Sequence, residues 1–75
     1  MENKNAVSIL LAGEEFRVAL SPEEEIMARE AEKLFNEVYQ IYVQKYGKLQ
    51  KEFLLAMTGF GLANKIISIE KQNLK

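Results

Sequence analysis

The chain has no cysteine, no histidine and no tryptophan, and it carries a single proline. Without cysteine there is no disulfide staple, and without cysteine or histidine the usual zinc sites are excluded. The same absences remove the commonest catalytic base and the most reactive nucleophile. An excess of one charge is lacking too: ten Lys and Arg stand against eleven Asp and Glu, for a net charge of −1. Nucleic-acid binding draws on a strong basic excess to neutralise phosphates, so that class is set aside. No uninterrupted apolar run approaches the roughly 20 residues of a membrane span. The opening MENKNAV lacks the apolar core of a signal peptide. These absences predict a soluble cytoplasmic protein with no metal site, no nucleic-acid partner and no membrane span.

What remains is a chain of 75 residues, 48% of them hydrophobic. So short a chain buries a modest fraction of its surface and needs a disulfide, a metal or a partner subunit to help it. With the first two excluded, self-association is the remaining source of stability. No internal repeat, low-complexity segment or linker interrupts the sequence.

The first element is read in AVSILL. Val7, Ile9 and Leu11 alternate onto one face, with Ala6, Ser8 and Leu10 on the other, as a half-buried strand requires. Gly13 then supplies the positive φ of a tight hairpin turn. In EFRVAL, Phe16, Val18 and Leu20 face inward and Glu15, Arg17 and Ala19 outward. An isolated two-stranded hairpin is marginal in water, so its faces and edges need cover.

SPEEE ends the strand and opens a helix. Ser21 is a natural N-cap, Pro22 fits the first helical position, and Glu24 completes a capping box. The three glutamates complement the positive end of the helix dipole, a reading favoured over metal ligation or an acidic docking patch. The helix is predicted from Pro22 to about Tyr46, with a buried stripe of Met27, Ala31, Leu34, Phe35, Val38, Ile41 and Tyr42. Lys45, Gly47 and Lys48 suit a helix end. A continuous rod with a bend is the alternative, since glycine inside a helix costs only ~1 kcal/mol relative to alanine. Tyr39, Tyr42 and Tyr46 line one side of this helix. With Lys45 and Lys48 they could stack single-stranded nucleic acid, but the border of a core or subunit interface is favoured.

A second helix is predicted over roughly Lys48 to Asn73. Leu49, Phe53, Ala56, Phe60, Ala63 and Ile67 recur at the heptad spacing of a helix that packs along another. A second apolar line, Leu55, Leu62, Ile66 and Ile69, lies on a different side. Gly59 and Gly61 suggest close backbone approach along this helix. One protomer lacks the elements to cover both lines, and an exposed apolar line of that length marks a protein interface. The fold class is therefore α+β: an N-terminal β-hairpin, then two helices, the second a coiled-coil-like oligomerisation helix. Residues 1–47 form the expected head and 48–75 the oligomerisation helix, within one structural unit. Ser8, Ser21 and Ser68 have no visible activating partner, and the four glycines form no phosphate-binding loop, so an enzyme is not expected.

The order of these motifs carries a resemblance. Leu11, Gly13 and Phe16 form an apolar-x-Gly-x-x-aromatic turn, Val18 continues its alternation, and Glu23 and Glu24 open the following helix. Ala56 and Ala63 lie in the small-residue seam of LLAMTGFGLANKIISIE. From about Val7 to Glu70 the chain resembles the ZapA family of bacterial cell-division proteins. The resemblance implies a cytoplasmic, non-enzymatic, cofactor-free protein that binds the tubulin-like GTPase FtsZ at the division ring and promotes lateral association of its protofilaments. It also implies a homodimer, with a tetramer as the further assembly. The second helix is shorter than the coiled coils usual in that family, which favours the dimer here. On the same resemblance Glu14, Glu15 and Arg17 near the hairpin tip, with Arg29 and Lys33 on the first helix, are the expected FtsZ-facing residues. The other reading is a small helical-hairpin adaptor or regulatory subunit with no part in division. Whether the hairpin edges pair across subunits stays open at this level.

Overall fold

The structure is a computed structural model that describes residues 3–73. Two strands, β1 (Asn5–Leu11) and β2 (Glu14–Leu20), precede two helices, α1 (Pro22–Tyr46) and α2 (Lys51–Asn73). The class is α+β, as the alternation and periodicity predict. Two compact units divide the chain within α1, one ending at Glu37 and the other beginning at Val38.

In the first unit the strands pair antiparallel, with Leu11 opposite Glu14, Ile9 opposite Phe16 and Val7 opposite Val18. The loop is therefore two residues long, Ala12 and Gly13, and both have positive φ, 53° and 82°. Positive φ at both central positions is the mark of a type I′ turn, whose twist matches that of the flanking strands. Gly13 was foreseen in this role and Ala12 was not. A left-handed conformation costs an L-residue such as Ala12 about 1–2 kcal/mol. The turn is paired elsewhere: the Ala12 N–H donates to Asn36 Oδ1 at 2.8 Å, and Asn36 Nδ2 donates to the Leu10 carbonyl at 2.8 Å.

The start of α1 follows the capping logic of its sequence. Ser21 is buried, its N–H donates to Glu24 Oε1 at 2.8 Å, and the Glu24 N–H donates to Ser21 Oγ at 3.2 Å. Two otherwise orphaned helix-start donors are thus satisfied reciprocally. Lys4 Nζ lies 3.6 Å from the same carboxylate.

The covered face of α1 differs from the expected stripe. Within the first unit the half-buried positions are Glu25, Ala28, Glu32, Phe35 and Asn36, whereas Met27 is 71% exposed and Ala31 and Leu34 are exposed. Periodicity ranks residues by hydrophobicity, but this face also meets the unpaired backbone of β1 and so takes polar residues. Of the expected stripe, Phe35, Val38 and Tyr42 are half-buried and Ile41 is exposed.

In the second unit α1 ends at Tyr46 and a turn intervenes, so the continuous rod is not formed. A side chain at Gly47 would place its Cβ 2.7 Å from the Val43 carbonyl, which accounts for glycine there. The Leu49 N–H bonds to the Tyr46 carbonyl at 2.9 Å, and the Gln50 carbonyl accepts from Phe53 and Leu54. Leu49, expected as the first residue of the helix seam, thus belongs to the connecting turn. The buried residues of α2 are Leu54 and Thr58. They lie one turn apart and on neither apolar line read from the sequence. Thr58, fully buried, satisfies its hydroxyl by donating to the Leu54 carbonyl at 2.8 Å. One turn further on, Tyr42 Oη stands 2.7 Å from where a Cβ on Gly61 would sit. Tyr42 also stacks on Tyr46, with ring centroids 6.4 Å apart. The close approach foreseen for the helix glycines therefore occurs at Gly61 within the chain, while the space around a Gly59 Cβ is open.

Candidate functional site

Two surfaces have the makeup of interaction sites, one in each unit. In the first, the antiparallel register fixes which backbone groups face outward. Opposite residues alternate between pairs that exchange hydrogen bonds and pairs that do not. On β1 the outward groups belong to Ala6, Ser8, Leu10 and the following Ala12, and α1 side chains meet the Ser8 carbonyl, both groups of Leu10 and the Ala12 N–H. Arg29 Nη1 donates to the Ser8 carbonyl at 2.9 Å, and the Leu10 N–H donates to Glu32 Oε2 at 2.7 Å. Asn36 takes the Leu10 carbonyl and the Ala12 N–H as described above. Arg29, Glu32 and Asn36, at helical spacings of three and four, therefore stand in for a third strand along this edge. Arg29 also pairs with Glu32 at 3.1 Å and with Glu25 at 3.5 Å.

This ladder shapes the local electrostatics. The Leu10 N–H, aided by the Arg29 guanidinium, holds the Glu32 carboxyl below its usual range. The Ser21 backbone N–H, and after it the charge on Lys4, does the same for Glu24. Both groups are held as carboxylates by donors aimed at their charged form.

The charged residues expected to face a partner divide accordingly. Glu15 and Arg17 are exposed on the outer face of β2, Glu14 is exposed beside the turn, and Lys33 is exposed on α1. Arg29 is exposed too, and its guanidinium also fastens α1 to the β1 edge. Its two partners in that fastening, Glu32 and Asn36, were missed by the sequence reading. The available signal was a polar Arg-x-x-Glu-x-x-x-Asn stripe at helical spacing beside a strand that lacked a neighbour.

The second surface is α2. Phe53, Ala56, Phe60, Ala63 and Ile67 of the expected seam are all exposed, Phe60 at 70%. On the other line Leu55 and Leu62 are half-buried, while Ile66 and Ile69 are exposed. Exposed apolar residues in a contiguous line call for a covering partner. By length and composition alone α2 is also apolar enough to cross a membrane. Uninterrupted apolar runs do not reveal this, because single charges such as Lys65 break a run without making the helix polar on average. Among the described residues no cluster of acidic side chains could hold a metal ion. A shallow groove on α1, lined by Glu23, Glu24, Met27, Ala28 and Ala31, offers no catalytic grouping.

A charged hairpin in one unit and an exposed apolar helix in the other are surfaces of the makeup that interaction proteins present. The chain belongs to the ZapA family: the family model described as cell division protein ZapA matches residues 7–75. No curated protein and no solved structure matches the chain.

Proposed function

We propose that this chain is a non-enzymatic division accessory protein that binds FtsZ in the cytoplasm at the division site and promotes lateral association of its protofilaments. The observation that carries the reading is the family match over residues 7–75. The two surfaces supply a mechanism that accords with it. Phe53, Ala56, Phe60, Ala63 and Ile67 form the seam along which two copies of α2 associate, with Leu55, Leu62, Ile66 and Ile69 available for a tetramer. Association brings two hairpins into one particle, and two linked weak sites hold two filaments with an avidity neither has alone. Glu14, Glu15, Arg17 and Lys33 face the filament, while Arg29 keeps the hairpin in place behind them.

Co-pelleting with polymerised FtsZ tests the proposal. The chain should sediment with polymer at low salt, and less of it should do so as salt screens the charged head. An adaptor unrelated to division would remain in the supernatant with polymer and monomer alike. That outcome would remove the FtsZ reading.

A further inference from the structure

The two edges of the hairpin are not equivalent. Arg29, Glu32 and Asn36 close the turn-side half of the β1 edge. Because Leu10, Ser8 and Ala6 lie opposite Glu15, Arg17 and Ala19, those three β2 residues direct their backbone N–H and C=O groups to the other edge. All three are exposed, and among the described residues no hydrogen bond to those outward groups is formed. The inner face shows the same asymmetry: Val7 and Ile9 of β1 are buried, while Phe16 of β2 is 44% exposed. An open strand edge beside an uncovered aromatic ring is a template for a further strand.

The charges on that edge point to the occupant. We infer that β2 pairs antiparallel with β2 of a second copy, in the register that sets Glu15 opposite Arg17 of that copy. Two-fold symmetry then gives two such Glu–Arg pairs on the outer face. It also sets Phe16 opposite its own counterpart on the inner face, at the symmetry axis. The register centred one residue later is disfavoured, because it sets Arg17 opposite Arg17, and like charges directly opposite destabilise a sheet. In the chosen register the two hairpins become one four-stranded sheet whose outer ends are the β1 edges. That arrangement stops at two copies, because Arg29, Glu32 and Asn36 block the turn-side half of each β1 edge. Glu15 and Arg17 of both copies form a single composite charged row on the outer face. This pairing makes no contact with FtsZ and adds to the helix seam rather than replacing it: without the seam, two hairpin edges alone hold two copies only weakly.

The absence of native cysteine makes the test direct. Opposed residues in antiparallel strands stand about 4.5 or 5.5 Å apart at Cα, both within reach of a disulfide. Phe16→Cys should cross-link to a dimer under mild oxidation, and Arg17→Cys alone should not. Should Phe16→Cys fail to fold by circular dichroism, Glu15→Cys and Arg17→Cys chains are mixed instead. The mixture is then expected to cross-link, and neither chain alone. In the Phe16→Cys background, Arg17→Glu should lower the cross-linking rate roughly tenfold, and Glu15→Arg with Arg17→Glu should restore it. Cross-linking at Arg17→Cys alone overturns the register. No cross-link at either position in a chain that sediments as a dimer overturns the edge pairing. Neither result involves FtsZ, so the proposed function stands or falls separately.

Discussion

Replacing Asn36 with alanine is the most informative perturbation of the head. Its carboxamide accepts from the Ala12 N–H and donates to the Leu10 carbonyl, both at 2.8 Å. A net hydrogen bond contributes about 1 kcal/mol, and a buried donor left unpaired costs about 1–3 kcal/mol. Ala12 is itself buried and strained at φ 53°, so water replaces the lost partner poorly. The expected loss is about 2–3 kcal/mol, or roughly 10–20 °C in Tm for a chain of this size. Melting is followed by circular dichroism at one fixed protomer concentration, because self-association raises the apparent Tm. Asn36→Asp keeps the acceptor for Ala12 but loses the donor to Leu10, so it should fall between parent and alanine variant. Amide exchange at Ala12 gives a local readout, rising strongly in Asn36→Ala and less in Asn36→Asp. A Tm for Asn36→Ala within ~2 °C of the parent, with Ala12 still protected, would refute the idea that this residue secures the turn.

Four further outcomes are expected. The carboxyls of Glu32 and Glu24 are held below their usual value near 4.5. A depressed carboxyl stabilises the fold above the unfolded-state value and loses that contribution as pH falls through the folded one. Denaturant titrations from neutral pH to below about pH 4 should therefore show a loss that is smaller in Glu32→Gln. Gly59→Ala should raise stability by up to ~1 kcal/mol through helix propensity, because its Cβ meets open space. Gly61→Ala should lack that gain because of Tyr42 Oη, and adding Tyr42→Phe should recover part of it; equal melting temperatures for the two alanine variants would contradict this. In sedimentation equilibrium the parent should be a dimer at tens of micromolar and Phe60→Glu mostly monomer, whereas an unchanged mass would place the seam elsewhere. In vesicle flotation the parent should stay with the aqueous fraction, its apolar seam being covered by a second copy; comigration with lipid would favour a membrane role for α2.

The elements with strictly local causes were legible in the sequence. Ser21, Pro22 and Glu24 specify a helix start through neighbours within one turn, and the alternation in AVSILL and EFRVAL fixes which face of each strand is apolar. The choice of contacts between elements was not legible in the same way. Met27 and Leu34 were assigned to the buried stripe because they are apolar, yet Glu32 and Asn36 take the covered positions. They do so because an edge strand must satisfy its backbone groups, a demand that hydrophobic periodicity does not register. In α2, Thr58 is the most buried residue although its side chain is polar, because its hydroxyl bonds the preceding turn's carbonyl. The sequence places a heptad seam and a second apolar line on the same helix, of which one protomer can cover one, and the most buried face is instead a third one, through Leu54, Thr58 and Gly61. Of the charged residues nominated for partner binding, Arg29 also bonds the Ser8 carbonyl, a contact that depends on the pairing of distant residues.

A self-associating chain that links FtsZ filaments through paired heads is what we propose. Electron microscopy of FtsZ protofilaments with the parent and with Phe60→Glu measures that most directly. The parent should draw protofilaments into laterally associated bundles, and the monomeric variant, its head intact, should leave them single. Bundles of equal extent with both proteins, or with neither, would contradict the account.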